Sequence, residues 1–220
     1  MQVIIIVSHL RQACLWRKST IKISMYILYM SILETPYTLG YNLITGEENQ
    51  LCKNGLVKVL PKIDITEIID LYNMLEEITI PKFPKGHRRN FPEHRCVCWG
   101  YTKKRFTNVV GLSSASLRYP EIYEELLRIG KLICPPDFKF TSIHMNHNLT
   151  CVPHVDDKNA SSTVLLSLGD YTGSYIVVEN EIYDSNQQPI MFDGSKLMHW
   201  NTPDLVGNKY SLVFYCVQGA

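Results

Sequence analysis

No apolar run in this 220-residue chain reaches the roughly 20 residues needed to cross a bilayer. MQVIIIV is too short, and SMYILYMSIL, about ten residues behind the basic RKSTIK, is followed by no small-residue cleavage site that would mark a secretory leader. Residues 1–45 are read as an N-terminal extension whose structure the sequence leaves undecided. Paired CxxC motifs are missing too. The seven cysteines are an odd number, which argues against a disulfide framework and suits reduced thiols in an intracellular, reducing compartment. Cys96 and Cys98 would share a strand face, a pattern that suits a buried thiol pair better than a metal site. An excess of either charge is also absent, with 22 Lys and Arg against 21 Asp and Glu.

The charge that is present is unevenly placed. Residues 81–118 hold nine Lys or Arg against one acid, Glu93, whereas residues 151–220 hold three basic and eight acidic groups. The basic stretch is interleaved with Phe83, Phe91, Trp99, Tyr101 and Phe106, as phosphate contacts and base stacking require. Arg88, Arg89, Lys103 and Lys104 are the candidate contacts to a nucleic-acid backbone, although a solvated loop with core aromatics would look similar. His87 and His94 lie in the same stretch with no partner at metal-ligand spacing.

His154, Asp156 and His199 carry the clearest chemistry. Residues two apart on a strand point the same way, so His154 and Asp156 can reach one metal while Val155 points away. His199, after the turn-forming Asp193-Gly194-Ser195, would arrive from another strand. Two imidazoles and a carboxylate on one face of Fe(II) leave the other positions open, the arrangement of a non-haem oxygenase. Ten residues on, Lys209 opens the strand KYSLVFYCV, in which Lys209, Ser211, Val213 and Tyr215 share a face. A cation and a hydroxyl there suit the distal carboxylate of 2-oxoglutarate. Cys151 would lie near the metal, or simply be packed as a small apolar residue. Asn146 and Asn148 would face the same side as His144 and offer the donor and acceptor that read a base edge, unless they cap turns.

The stretch FTSIHMNHNLTCVPHVDDKNASSTVLLSLGDYTG, followed by FDGSKLMHW and GNKYSLVFY, resembles the Fe(II)/2-oxoglutarate dioxygenase domain of the Tet and base-J-binding-protein family over about residues 138–217. The resemblance implies that His154, Asp156 and His199 hold iron, that Lys209 and Ser211 hold the cosubstrate, and that Asn159 faces the substrate base. It implies oxidation of the 5-methyl group of thymine or 5-methylcytosine in DNA. Two positions depart from the family pattern. Lys209 stands where Arg is usual and cannot reproduce a bidentate clamp, and Ser174 follows Gly173 where two glycines are preferred. Collagen prolyl hydroxylases use a Lys ten residues after the distal His, so a prolyl-hydroxylase-like or small-molecule hydroxylase remains an alternative. A non-catalytic relative would be expected to have lost a metal ligand, and none is missing.

A capping box of Asp64 and Glu67 predicts a helix with Ile65, Ile68, Ile69, Tyr72, Leu75 and Ile78 on its apolar side, ending before Pro81. Pro120 opens a second helix, to about Lys131. From Phe138 only strand signals remain: FKFTSIHMN, STVLLSL, SYIVVE, QPIMF, KLMHW and KYSLVFYCV. The expected architecture is mainly β with flanking helices (α+β), a double-stranded β-helix or jelly roll of the cupin type. Residues 46–137 form a helical, basic flanking region and residues 138–220 the catalytic core. The expected cofactors are Fe(II) and 2-oxoglutarate, with O₂. Nucleic acid, DNA before RNA, is the expected substrate, with no membrane and no obligate protein partner indicated.

Overall fold

Alternating side chains build a sheet with two different faces. In β12 (Tyr210–Tyr215), Tyr210, Leu212 and Phe214 are buried in the main apolar core, while Ser211, Val213 and Tyr215 face the opposite way. In β4 (Ser142–His147), Ile143 and Met145 join that core and His144 and Asn146 oppose it. β5 (Thr163–Leu168) repeats the pattern, with Val164, Leu166 and Leu168 on one side and Thr163 and Leu165 on the other. The computed structural model describes residues 55–81, 95–103, 109–156, 159–217 and 219. All belong to one of two units of the chain, Glu48–Ala220.

These strands lie at the centre of a seven-stranded antiparallel sheet. Its remaining members are β1 (Val57–Val59), β2 (Arg95–Lys103), β3 (Val110–Leu112) and β9 (Ile190–Phe192), in the order β1-β9-β5-β12-β4-β2-β3. A smaller sheet orders β10 (His199–Asn201), β7 (Ile176–Val178) and β8 (Glu181–Tyr183), and β6 (Tyr171–Thr172) pairs with β11 (Val206–Gly207). Ile176 and Val178 of the smaller sheet pack with Val57, Leu165, Ile190 and Phe192 of the larger one. The fold is a jelly roll, the double-stranded β-helix expected from the strand pattern. Three of the seven strands come from the stretch expected only to flank the core, so that stretch is woven into the sheet itself. Among the described residues no helix is long and apolar enough to cross a membrane.

Helices α1 (Ile65–Glu77), α2 (Ser114–Arg118) and α3 (Pro120–Ile133) accompany the main sheet, and α1 and α3 supply much of its apolar core. α1 begins where Asp64 predicts it, the carboxylate accepting from the Thr66 amide at 2.8 Å. The capping box itself does not close, because Glu67 turns instead to Arg128 at 2.9 Å. The buried side of α1 is also narrower than expected. Ile68, Leu71 and Leu75 carry it, at spacings of three and four, while Ile65 and Ile69 are 46% and 39% exposed on its flanks. α3 buries Ile122, Leu126, Ile129 and Ile133. Its Gly130 touches the sheet so closely that a Cβ there would lie 2.4 Å from the Phe140 ring and 2.9 Å from Phe214. The short α2, capped by Ser113 at the Ser116 amide, is not signalled by periodicity.

Candidate metal centre and adjoining cavity

His154 and His199 meet through their backbones. Each donates its amide to the other's carbonyl, at 3.1 and 3.0 Å, in an isolated antiparallel bridge. Asp156 is fixed separately, its amide donating to the Gly194 carbonyl at 2.7 Å. His154 and Asp156 therefore approach from an isolated bridge and its end and not from within an extended strand. Val155 between them is 40% exposed.

The side chains converge. Asp156 places one oxygen 3.8 Å from His154 Nε2 and the other 3.7 Å from His199 Nε2, and the three ligand atoms lie within 4.8 Å of one another. Each imidazole is oriented through its other nitrogen: His154 Nδ1 donates to the Val152 carbonyl at 2.7 Å, and His199 Nδ1 to the Leu197 carbonyl at 2.9 Å. A carbonyl only accepts, so the proton sits on Nδ1 and the Nε2 lone pair is presented to the centre. Burial lowers the pKa of His199; the Leu197 carbonyl and Asp156 oppose that shift, the neighbouring His154 adds to it, and the net shift is downward, favouring the neutral ring. Gly194 brings no side chain where a Cβ would touch both Asp156 Oδ2 and His199 at 3.5 Å. Two imidazoles presenting Nε2 and a carboxylate, converging beside an open cavity, fit Fe(II).

That cavity has a volume of about 540 Å³. Its floor is the inner face of the main sheet, including His144, Asn146, Thr163, Leu165, Ser211, Val213 and Tyr215, and the ligands lie in its wall. Ser211, near the start of β12, lies at one end of that floor. At the other, Asn159 bridges to Val217, beyond the end of β12, and its amide nitrogen donates to Asp156 Oδ2 at 3.4 Å and Thr163 Oγ1 at 3.2 Å. Asn146, Asn159, Ser211 and Cys151 all line the cavity.

Two expected site residues lie elsewhere. Asn148 has a positive φ of 50° and serves the turn into β12, accepting from the Lys209 amide at 2.7 Å and donating to Asn208 at 3.2 Å. Lys209 is 1% exposed and stands behind the lining of the cavity. Its ammonium donates to the Ser174 carbonyl at 2.6 Å and hydroxyl at 3.0 Å, and lies 5.0 Å from the centre of the Tyr171 ring. Burial lowers its pKa to about 8, against the smaller raising effects of Cys151, Asp184 and Asp204. Lys103 ends β2 in an exposed position, and Arg88, Arg89, Lys104, His87 and His94 lie outside the described residues. Sequence reasoning passes over Asn201, which lines the cavity, accepts from the Cys151 amide at 3.3 Å and donates to the Ser174 carbonyl at 3.3 Å. Its position two residues after His199 on the same strand is the available signal.

No family model and no curated protein matches the sequence. Solved structures do match. Over 76% of this chain and 85% of the other, the protein superposes on an oxidoreductase of the 2-oxoglutarate/Fe(II) oxygenase family from Burkholderia pseudomallei, with a TM-score of 0.50 and 17% identity. The two share a fold. NgTET1, solved in complex with 5-methylcytosine DNA, superposes over 76% of this chain and 75% of its own, with a TM-score of 0.54 and 12% identity.

Proposed function

We propose that the protein is an Fe(II)/2-oxoglutarate-dependent dioxygenase that oxidises the 5-methyl group of a pyrimidine base in DNA. The observation that carries the enzyme class is the His154, Asp156 and His199 cluster opening onto a cavity of about 540 Å³. Iron with 2-oxoglutarate would supply the O₂ activation that lets an unactivated C–H bond react. The protein's share is placement. The Val152 and Leu197 carbonyls aim the two imidazoles, and Ser211 on the cavity floor with Lys209 behind the lining would receive the distal carboxylate of the cosubstrate. A base in duplex DNA must leave the stack to enter such a cavity. Asn159 and Asn146 would then orient it, each amide offering a donor and an acceptor.

DNA as substrate is supported by the basic, aromatic stretch of residues 81–118 and by likeness to a fold that, in NgTET1, is bound to 5-methylcytosine DNA. One observation favours a second reading, a prolyl-type or small-molecule hydroxylase: the cation near the cosubstrate end is the lysine Lys209. The two are separated by incubating methylated DNA with the protein, Fe(II), ascorbate and 2-oxoglutarate and analysing nucleosides by mass spectrometry. Oxidised 5-methylpyrimidine in step with succinate is the expected result. Succinate without any oxidised nucleoside would favour the hydroxylase, and no succinate at all would reject the enzyme class.

A further inference from the structure

Lys209 and Ser174 form a pair that the spacing of the metal ligands does not explain. An ammonium has three N–H donors, and two of those on Lys209 go to one residue, the carbonyl and hydroxyl of Ser174. Ser174 is itself 1% exposed and holds a φ of 52°, a left-handed backbone that favours glycine. The turn leaves little freedom. At Gly173, φ 71°, a Cβ would come 2.2 Å from the Asp204 carbonyl oxygen, and the Ser174 amide donates to Asp204 Oδ1 at 3.0 Å. A serine kept where glycine would fit more easily, with its hydroxyl spent on a buried cation, is explained if the hydroxyl serves that cation. The Ser174 carbonyl also accepts from Asn201, which lines the cavity, so the pair connects directly to the cavity wall.

We propose that Ser174 is a positioning residue for Lys209, holding its ammonium behind the cavity wall, next to Asn201, for the distal carboxylate of 2-oxoglutarate. The inference rests on Lys209 as the cosubstrate's cation. It joins the two departures from the family pattern into one exchange: a lysine presents a smaller head than an arginine, and a serine side chain fills and satisfies the space a glycine would leave. Beyond Ser174, Tyr171 offers the ammonium its ring face, and the charges of Cys151, Asp184 and Asp204 partly offset the burial of Lys209. Below a pH of about 8 the group is an ammonium and above it an amine, so cosubstrate binding weakens as pH rises through that value. Removing the Ser174 hydroxyl takes away an acceptor of the charged form and moves this loss to lower pH.

The test is calorimetric titration of 2-oxoglutarate into Mn(II)-loaded protein between pH 6.5 and about 9, using wild type, Ser174→Gly, Lys209→Ala, Lys209→Arg and the Ser174→Gly/Lys209→Arg double variant. Ser174→Gly should keep or raise Tm, since glycine suits the backbone, yet weaken 2-oxoglutarate about tenfold, the scale of one charge-assisted hydrogen bond. Its binding should also be lost at a lower pH than in wild type. In the Lys209→Arg background, whose cation stays charged throughout, the same change should carry no penalty. Unchanged or tighter binding by Ser174→Gly, while Lys209→Ala still weakens it, would overturn this inference alone. Unchanged binding by Lys209→Ala would remove the role of Lys209 itself.

Discussion

The two histidines of the cluster differ in how much else depends on them. His199 is buried and its ring meets Phe192 edge to face at 5.1 Å, so replacing it disturbs packing as well as chemistry. His154 is half-buried and contributes mainly its Nε2. His154→Ala should therefore abolish stoichiometric Fe(II) binding and succinate formation while the metal-free protein melts close to wild type, because the backbone bridge to His199 needs no side chain. Anaerobic Fe(II) titration alongside a thermal melt reads both effects. Retention of one tightly bound Fe(II) in the variant would sink the ligand assignment.

Among the elements, α3 approaches the sheet closely at Gly130. Phe140 and Phe214 stand edge to face at 5.2 Å beneath Gly130, and neither ring can yield without disturbing the other. Gly130→Val should lower unfolding stability by about 2 kcal/mol, measured by urea denaturation, since forcing extra methyl groups into a full core typically costs 1–3 kcal/mol. Stability equal to wild type would mean that the helix shifts outward at little cost. α3 itself is legible from Pro120 and its apolar spacing, and the two-faced strands β4, β5 and β12 from their alternation. That alternation alone is enough to put Ser211, Val213 and Tyr215 on one face. What is not legible depends on contacts distant in sequence. Three-residue β1 reveals its place only by pairing with β9, more than 130 positions away. Glu67 leaves its capping role for Arg128, and Lys209 finds Ser174; no local pattern announces either partner. Asn148 departs from its expected place because the strand ends at His147, and its positive φ turns the side chain to the loop instead of the cavity.

At the scale of the molecule, residues 151–220, which carry the His154, Asp156 and His199 cluster, are acidic and residues 81–118 are basic; under the proposed function the first would serve chemistry and the second docking to a polyanion. Replacing Arg88, Arg89, Lys103 and Lys104 with Ser should weaken binding to DNA of any sequence. It should also flatten the plot of log affinity against log salt by about 0.9 for each phosphate contact removed. Filter binding at several salt concentrations measures this. Asn159→Ala should behave differently, keeping the slope and losing oxidised product, because it lies at the cavity beside Asp156 and not in the basic stretch. An unaltered slope in the fourfold variant would assign the basic stretch to something other than a phosphate backbone.

If His154, Asp156 and His199 hold iron as proposed, the reciprocal backbone bonds between the two histidines bear on the working life of the protein. Main chain already holds these two residues together, so the ion would be a tenant and not a foundation: the chamber would stand whether or not it is let. Iron lost to a chelator or to oxidation would idle the protein without dismantling it. A fresh ion would restore it with no refolding, making activity a gauge of how much ferrous iron its surroundings can spare.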